Sequence, residues 1–542
     1  MLGLSALGFF LIAVNVLLLL NYYCSFRRMP SYLVFALFIA VFIPFSIILL
    51  VPVDLASTFS DSKPLLSLPR KYTYFTWRIL YWLSFGLTWL VLPMLQAYLE
   101  SGQNENSKKI REALKANAKQ QLINFTVGII GLIYFIFYAG FAVSSVRGLV
   151  IALSHSYALI FSMWFLGIGV VRIPRKLFRN STPRLILNDL EKRAPRVHDS
   201  FIESRSQLNE VSSEAKSLAP VKVGPYQNWI EKLIKMAEPG SSNTSHFISR
   251  SQVTEDYLSH LTSRLRKAKI LQSRYELEWR VLVNDAANIA DVIEAVETRS
   301  LKFRNSSSLF SPKIAFIVYY YIVPFIYRAL GLLLSVLSIT VVWSITTQGT
   351  MFSLLGLVTA RTSGFTQEMM SFGIIAYMCI STYASLAGVK IFNIYALAQK
   401  HTDSSSAIFY ANQICKMTIP LSYTYVMMSP RLSTPSVFEE FLQPSINLTP
   451  LGKYFTMWLP RFLLIPVLFS LFNFYEKIQN LIGFGLEFGD DDENDGNRAE
   501  GQDLISYELS SSSGLLLESA DTASRRFILS PSSYNPLPTS FD

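Results

Sequence analysis

Charged side chains are scarce in this chain: Asp, Glu, Lys and Arg make up 16% of its 542 residues, where a soluble protein carries about a quarter. That shortage excludes an ordinary water-exposed globule. Cysteine is scarcer still. The three present, Cys24, Cys379 and Cys415, make no disulfide framework. Cys379 and Cys415 fall inside apolar runs and read as packing residues. Cys24 follows the first run and admits palmitoylation, with a plain thiol as the simpler reading. The five histidines, His155, His198, His246, His260 and His401, never fall at metal-ligand spacing, so no metal and no cofactor is expected. There is no Walker-type phosphate loop, and Gly483-Phe484-Gly485 lacks the strand-to-helix setting of a dinucleotide fingerprint. The mid-span regions offer no confident Asp or Glu, which weakens a proton-pump reading, although His155 remains. With no clustered polar groups in view, enzyme activity is not expected.

Apolar residues, by contrast, are abundant, and they are gathered into runs. A helix of about 20 residues crosses the hydrocarbon of a bilayer. Runs of that order are Leu2–Tyr22, Ser31–Val53, Thr76–Tyr98, Leu122–Ala142 and Leu149–Val171, then Ile314–Ile345, Ser371–Leu397, Ala407–Met428 and Phe455–Tyr475. The first reads as a retained helix, because Arg27 and Arg28 follow it and Asn21-Tyr22-Tyr23-Cys24 is a poor cleavage site. Ile314–Ile345 is too long for one upright span, and Pro324 and Arg328 interrupt it. It either tilts or splits into an interfacial piece and a span. Met351–Ala360 is too short to cross and suits a re-entrant segment. Pro93, Pro420 and Pro466 should bend their helices.

The net charge of +10 calls for no nucleic acid, since many basic residues flank spans, where they set orientation. An outside N-terminus leaves Arg27, Arg28, Lys108, Lys109, Arg111, Lys115, Lys119, Arg172, Arg175, Lys176 and Arg179 in the cytosol. The densest outer group is then Lys63, Arg70 and Lys71. Asn447-Leu448-Thr449 forms a glycosylation sequon in the last outer loop, although the proline after it works against its use. The sequons at Asn180, Asn243 and Asn305 fall on the cytosolic side and should be silent.

Between the two groups of spans lies a polar insert. From Leu258 its apolar residues recur at alternating spacings of three and four: Leu258, Leu261, Leu265 and Ala268, then Tyr275, Trp279, Leu282, Ala286, Ile289, Ile293 and Val296. That seam suits a coiled-coil-like helix about 60 Å long. A weaker seam, Phe201, Leu208, Val211, Ala215 and Leu218, is bracketed by Pro195 and Pro220. The Gly/Ser/Asn-rich stretch Pro239–Ser251 reads as a linker, which makes the pair an antiparallel hairpin. The seam through Leu258, Leu261, Leu265, Tyr275, Trp279 and Leu282 either docks a cytosolic partner or buries itself within the hairpin. After Gly489 the chain is Ser-rich and opens on the acidic block Asp490–Asp495. It is expected to be disordered.

Four charged residues are ligand-pocket candidates. Arg328 and Lys390 lie within apolar runs. There a charge costs about 2.5–3.5 kcal/mol at mid-membrane, so each faces a polar pocket or snorkels to an interface. Asp54 ends the second span and Arg78 opens the third. They pair, line an outer vestibule, or serve as ordinary interfacial anchors beside Trp77, Tyr81 and Trp82, the simplest of the three readings.

The expectation is an all-α integral membrane protein with about nine transmembrane helices. Residues 1–171 form an N-terminal membrane half of five spans, and 172–313 the cytosolic helical insert. Residues 314–488 form a C-terminal half of four spans, and 489–542 a disordered tail. Val51-Pro52-Val53-Asp54-Leu55, Trp77-Arg78-Ile79-Leu80-Tyr81-Trp82, Leu87-Thr88-Trp89 and Leu92-Pro93-Met94-Leu95-Gln96-Ala97-Tyr98, in that order of spans, resemble the limb region one family. It is also called the lipocalin-interacting membrane receptor-like family. The resemblance implies nine spans and an outside N-terminus. It also implies association with lipocalin uptake, lysosomal cobalamin handling or receptor signalling, and it brings no catalytic motif. The resulting expectation is a multi-pass receptor or signalling scaffold, with a transporter or transport cofactor for an amphipathic ligand as the alternative. Its partners would be the lipid bilayer, a cytosolic protein at the insert and such a ligand. The plasma membrane is favoured over the endolysosomal membrane.

Overall fold

A chain in hydrocarbon must satisfy its peptide groups within each segment, which makes the helix the default element. The computed structural model describes residues 2–24, 26, 29–58, 68–139, 143–221, 226–237, 253–304, 310–348, 350, 352–362, 364–388, 395–398, 402–428, 436–446, 458–472 and 498–510, and their regular elements are helices. The first five are α1 (Leu2–Tyr23), α2 (Ser31–Thr58), α3 (Arg70–Glu100), α4 (Asn106–Ala139) and α5 (Val143–Arg179). Next come α6 (Pro183–Ser217), α7 (Gln227–Met236), α8 (Glu255–Thr298) and α9 (Pro312–Thr346). The last are α10 (Leu354–Arg361), α11 (Phe365–Gly388), α12 (Ser404–Met428), α13 (Val437–Ile446), α14 (Leu459–Leu471) and α15 (498–510).

Among the described residues 6 helices are long and apolar enough to cross a bilayer: Ala6–Tyr23, Ser31–Ser57, Arg70–Glu100, Tyr157–Arg179, Pro312–Thr346 and Phe365–Gly388. Several expected boundaries change. Of the seventh expected span, Ser371–Leu397, the described helix covers Ser371–Gly388, and residues 389–394 lie outside the described residues. The long run Ile314–Ile345 is one helix of 35 residues and does not split. It absorbs Pro324 through a π turn, Val318–Ile322, just before the proline. α3 has the same arrangement, with a π turn at Leu87–Val91 ahead of Pro93. A proline donates no N–H and crowds the carbonyl four residues back. A widened turn relieves that crowding without breaking the helix. Met351–Ala360 yields only the short α10.

Contacts divide the chain into two units. The first comprises Met1–Glu100, Ser107–Arg175 and Leu332–Asp490. Its centre is α2, packed by α1, α11 and α12. Leu33, Leu37, Ile43, Ile47 and Leu50 are fully buried on it, as expected of a helix apolar all round. Cys24, Cys379 and Cys415 are buried too. Small residues let neighbours close up. A Cβ at Gly169 of α5 would overlap the Ser381 carbonyl oxygen of α11. One at Gly167 would stand 2.6 Å from Cγ of Pro466 on α14. Such close approach is how helices gain dispersion energy where the hydrophobic effect no longer drives them together.

The second unit comprises Ser101–Asn106, Lys176–Gly331 and Asp491–Asp542. Here α6 and α8 form an antiparallel pair. Leu208, Val211, Ala215 and Leu218 meet Leu258, Leu261, Leu265 and Ala268 at one end. Ala194 and Val197 meet Trp279, Leu282, Val283 and Ala286 at the other. Pro195 does not bracket α6: the helix begins at Pro183 and runs through it. α7 was not expected, and its Trp229, Ile230 and Leu233 complete the first cluster. α8 ends on Arg299 in the left-handed conformation, φ 50. Asp291 then catches the returning chain by accepting the Arg304 N–H at 2.8 Å. The tail also departs from expectation, because 498–510 is helical. Its apolar face shows only when Leu504, Ile505 and Leu509 are placed on a helix.

Gly169→Leu should drive α5 from α11 and cost about 1–3 kcal/mol, the usual penalty of overpacking. Thermal unfolding in mild detergent reads this as a lowered Tm, with Gly169→Ala intermediate. An unchanged Tm for Gly169→Leu would contradict the close approach.

Candidate functional site

Asp54 lies near the C-terminal end of α2 and is 1% exposed. A buried carboxylate is tolerated only where donors replace its water. Three converge on it. The Phe438 N–H donates to Oδ2 at 2.8 Å and the Val437 N–H to Oδ1 at 3.2 Å. The Trp77 indole N–H donates to Oδ2 at 3.3 Å. Both amides open α13, so the carboxylate sits where that helix's dipole is positive. α13 also carries its own capping box, Ser436-Val437-Phe438-Glu439. Ser436 Oγ accepts the Glu439 N–H at 3.2 Å, and Glu439 Oε2 accepts the Ser436 N–H at 3.2 Å. Phe438 packs on the Trp77 indole with ring centroids 4.3 Å apart. The result is one buried knot joining α2, α3 and α13.

Arg78 stays outside this knot: of the readings open for it, pairing with Asp54 gives way to the bond that Trp77 makes there. Successive helix residues are turned by about 100°, and with Trp77 facing inward Arg78 lies on the exposed face of α3. Arg328 is exposed as well, and its Nε–H donates to Ser181 Oγ at 3.3 Å. Ser181 follows the basic last turn of α5 that contains Lys176 and Arg179. Lys390 and Asn447 lie outside the described residues, as do Arg27 and Arg28.

A second polar cluster escaped the sequence reading. Glu100 Oε1 accepts hydrogen bonds from Tyr395 Oη at 2.8 Å, Ser405 Oγ at 2.6 Å and Gln96 Nε2 at 3.2 Å. The Tyr395 ring stacks on Phe409, centroids 4.5 Å apart. These bonds tie the end of α3 to the start of α12. The signal was present as Gln96 and Glu100, one helical turn apart at the end of an apolar run. Their partners lie far along the chain and could not be assigned. Arg172, read as a flanking charge, is also buried, with its guanidinium against Gly388.

The insert seam offered as a docking surface is filled from within. Leu258, Leu261 and Leu265 are covered by α6 and α7, and Trp279 and Leu282 by α6 and 498–510. Tyr275 is buried between the two clusters. Polar bonds hold the pairing. The Trp229 indole donates to Thr262 Oγ1 at 3.0 Å, and the Tyr257 hydroxyl to Glu214 Oε1 at 2.7 Å. Burial and the Glu214 carboxylate together push the Tyr257 phenol above its ordinary pKa. The loop 101–106 joins the same unit: Ser101 O accepts from Arg266 Nη1 at 3.0 Å, and Asn104 Oδ1 from Lys232 Nζ at 3.3 Å. Among the described residues no group of three or more His, Cys, Asp or Glu is placed to hold a metal ion.

Residues 1–475 match the family model described as LMBR1-like membrane protein. The chain is 23% identical over 547 residues to LMBR1 domain-containing protein 2 homolog A of Dictyostelium discoideum, covering 88% of this chain and 74% of that one. It is 23% identical over 574 residues to the G-protein coupled receptor-associated protein LMBRD2 of Gallus gallus, covering 94% and 83%. Against the Homo sapiens protein of the same name it is 22% identical over 586 residues, again covering 94% and 83%. No solved structure matches.

Asp54→Ala should leave the Val437, Phe438 and Trp77 donors buried without their acceptor. The expected loss is about 2–4 kcal/mol, in line with removing a charged hydrogen-bond partner. Asp54→Asn keeps one acceptor oxygen and should lose less. Thermal unfolding of the purified protein checks the order, and an unperturbed Asp54→Ala would show that the knot carries no stability.

Proposed function

Because the chain belongs to the LMBR1-like membrane protein family, we propose that it is a non-enzymatic, receptor-associated scaffold of about nine spans. It couples a membrane partner to cytosolic proteins through the helical unit built on α6 and α8. The observation that carries this reading is that unit itself. Its apolar seam is satisfied internally, while its outer faces carry ion pairs such as Lys235–Glu231 at 3.3 Å and Arg264–Glu214 at 3.0 Å. A prefolded polar surface suits specific recognition more than membrane burial. The names of the Gallus and Homo relatives, which place them with G-protein coupled receptors, suggest such receptors as the membrane partner, with the plasma membrane as the favoured compartment.

The nine-span topology with an outside N-terminus draws support from the loop 101–106. It belongs with the insert, as a shared cytosolic location of the two requires. α4 then has to carry the chain back across. The loop holds Lys108 and Lys109 close by, as the positive-inside rule asks of a cytosolic segment. Arg328 bonded to Ser181, beside the basic end of α5, supports an interfacial anchor there. An anchoring role for Arg328 favours the scaffold over the transporter alternative.

Co-purification from native membranes with a panel of tagged G-protein coupled receptors tests the scaffold. One receptor or a small group should be retained, and deleting Glu255–Arg304 should reduce retention of the cytosolic partners about tenfold, equivalent to about 1.4 kcal/mol, with membrane insertion intact. Loss of neither receptor nor cytosolic partners in the deletion would refute the coupling role.

A further inference from the structure

The tail helix 498–510 is amphipathic. Gly501, Leu504, Ile505, Glu508 and Leu509 lie on one face, at helical spacing, and are its buried or half-buried residues. Ile505, with Leu504 and Leu509 beside it, joins Ala194 and Val197 of α6 and Trp279, Leu282 and Val283 of α8 in one apolar cluster. The other face is open to water, with Tyr507 73% exposed.

Two features make this seat specific. Pro195 has no N–H to give to the carbonyl of Glu191, one turn earlier in α6. That is the carbonyl Gly501 approaches: a Cβ on residue 501 would overlap the Glu191 oxygen and stand 3.2 Å from Cδ of Pro195. The proline opens a notch in α6, and only a glycine fits it. Beside the notch the Glu191 side chain is 6% exposed. Its Oε2 is met by Arg498 Nε at 2.7 Å. The tail therefore supplies a cation to a buried carboxylate, a glycine to a freed carbonyl and aliphatic side chains to an apolar groove.

We infer that 498–510 is a latch in cis over a helix-binding groove of α6 and α8. The groove admits an amphipathic helix of a partner protein in place of the latch. That partner carries a cation at the position of Arg498, a glycine at that of Gly501 and aliphatic residues at those of Leu504, Ile505 and Leu509. The latch is built to exchange. An isolated helix of about 12–15 residues is marginal in water, so this one holds its shape only while docked. Its apolar anchors are few for the length of backbone they order. Attachment to the same chain supplies the effective concentration that keeps the groove filled at rest. Use by a partner rests on the scaffold reading; occupation in cis does not.

The test uses the full chain in detergent and a labelled synthetic peptide of residues 497–511. In the wild type, hydrogen exchange should be slowed across 498–510, and the peptide should bind weakly because the groove is filled. Ile505→Asp and Gly501→Leu, each in the full chain, should remove that protection and tighten peptide binding at least about tenfold, a conservative share of the 10²–10⁴-fold that tethering supplies. Tyr507→Ala, on the open face, should behave as wild type. A peptide carrying Gly501→Leu should not bind any of them. Unprotected 498–510 amides in the wild type, or equal peptide binding by wild type and both latch variants, would overturn the inference. Latch release with normal peptide exchange but no receptor retention would instead count against the scaffold and leave the latch standing.

Discussion

Every peptide group that enters hydrocarbon has to find its hydrogen-bond partner inside its own segment, and the rest of this structure is an accommodation to that demand. It makes the described spans helical. It also explains how their prolines are handled. In α3 and α9 a π turn precedes Pro93 and Pro324, so the helix widens where the missing donor and the pyrrolidine ring would otherwise break it. Once the backbone is satisfied locally, little remains to hold helix to helix except close packing and scattered polar bonds. Gly169 against the Ser381 carbonyl supplies the first. Ser338 Oγ donating to the Val170 carbonyl at 2.7 Å, and Tyr425 Oη donating to Ser371 Oγ at 2.8 Å, supply the second.

The same demand shapes the ends of the helices. Terminal amides lack intrahelical partners, and this chain recruits distant side chains to meet them. Asp54 serves the first amides of α13 from the far end of the sequence, and Trp77 completes its shell. Pro195 creates a comparable vacancy in mid-helix, at the Glu191 carbonyl, and there the approach of Gly501 is the consequence. In both places an unsatisfied backbone group in one helix sets where another helix sits. A carboxylate, Asp54 or Glu191, stands beside each. The membrane unit uses the device to close its core, and the helical unit uses it to seat a tail.

The helical unit obeys a different rule, because water surrounds it in the scaffold reading. Its stability comes from the seam that α6, α7 and α8 bury together, and in that reading its outer charges serve recognition. Filling the seam from within moves the surface available to partners away from the most apolar residues. It goes to the charged flanks and to the groove beside Trp279 that the tail covers. In the scaffold reading, filling the seam from within keeps its contiguous apolar surface from associating indiscriminately.

The sequence by itself determined the membrane class, the long α8 and the family. Each rests on a local pattern: runs of apolar residues, alternating three-and-four spacing, and the motif from Val51 to Tyr98. The antiparallel pairing of α6 and α8 was legible too, since two seams joined by a linker have few other ways to bury themselves. The tertiary structure alone decided which polar residues meet. Trp77 rather than Arg78 takes Asp54 because a rotation of one residue on α3 chooses between them. Tyr395 and Ser405 reach Glu100, and Gly501 reaches the notch at Pro195, across hundreds of residues. No spacing rule connects such positions. The helix at 498–510 was hidden for the same reason: its few apolar residues form a face only when the groove that receives them exists.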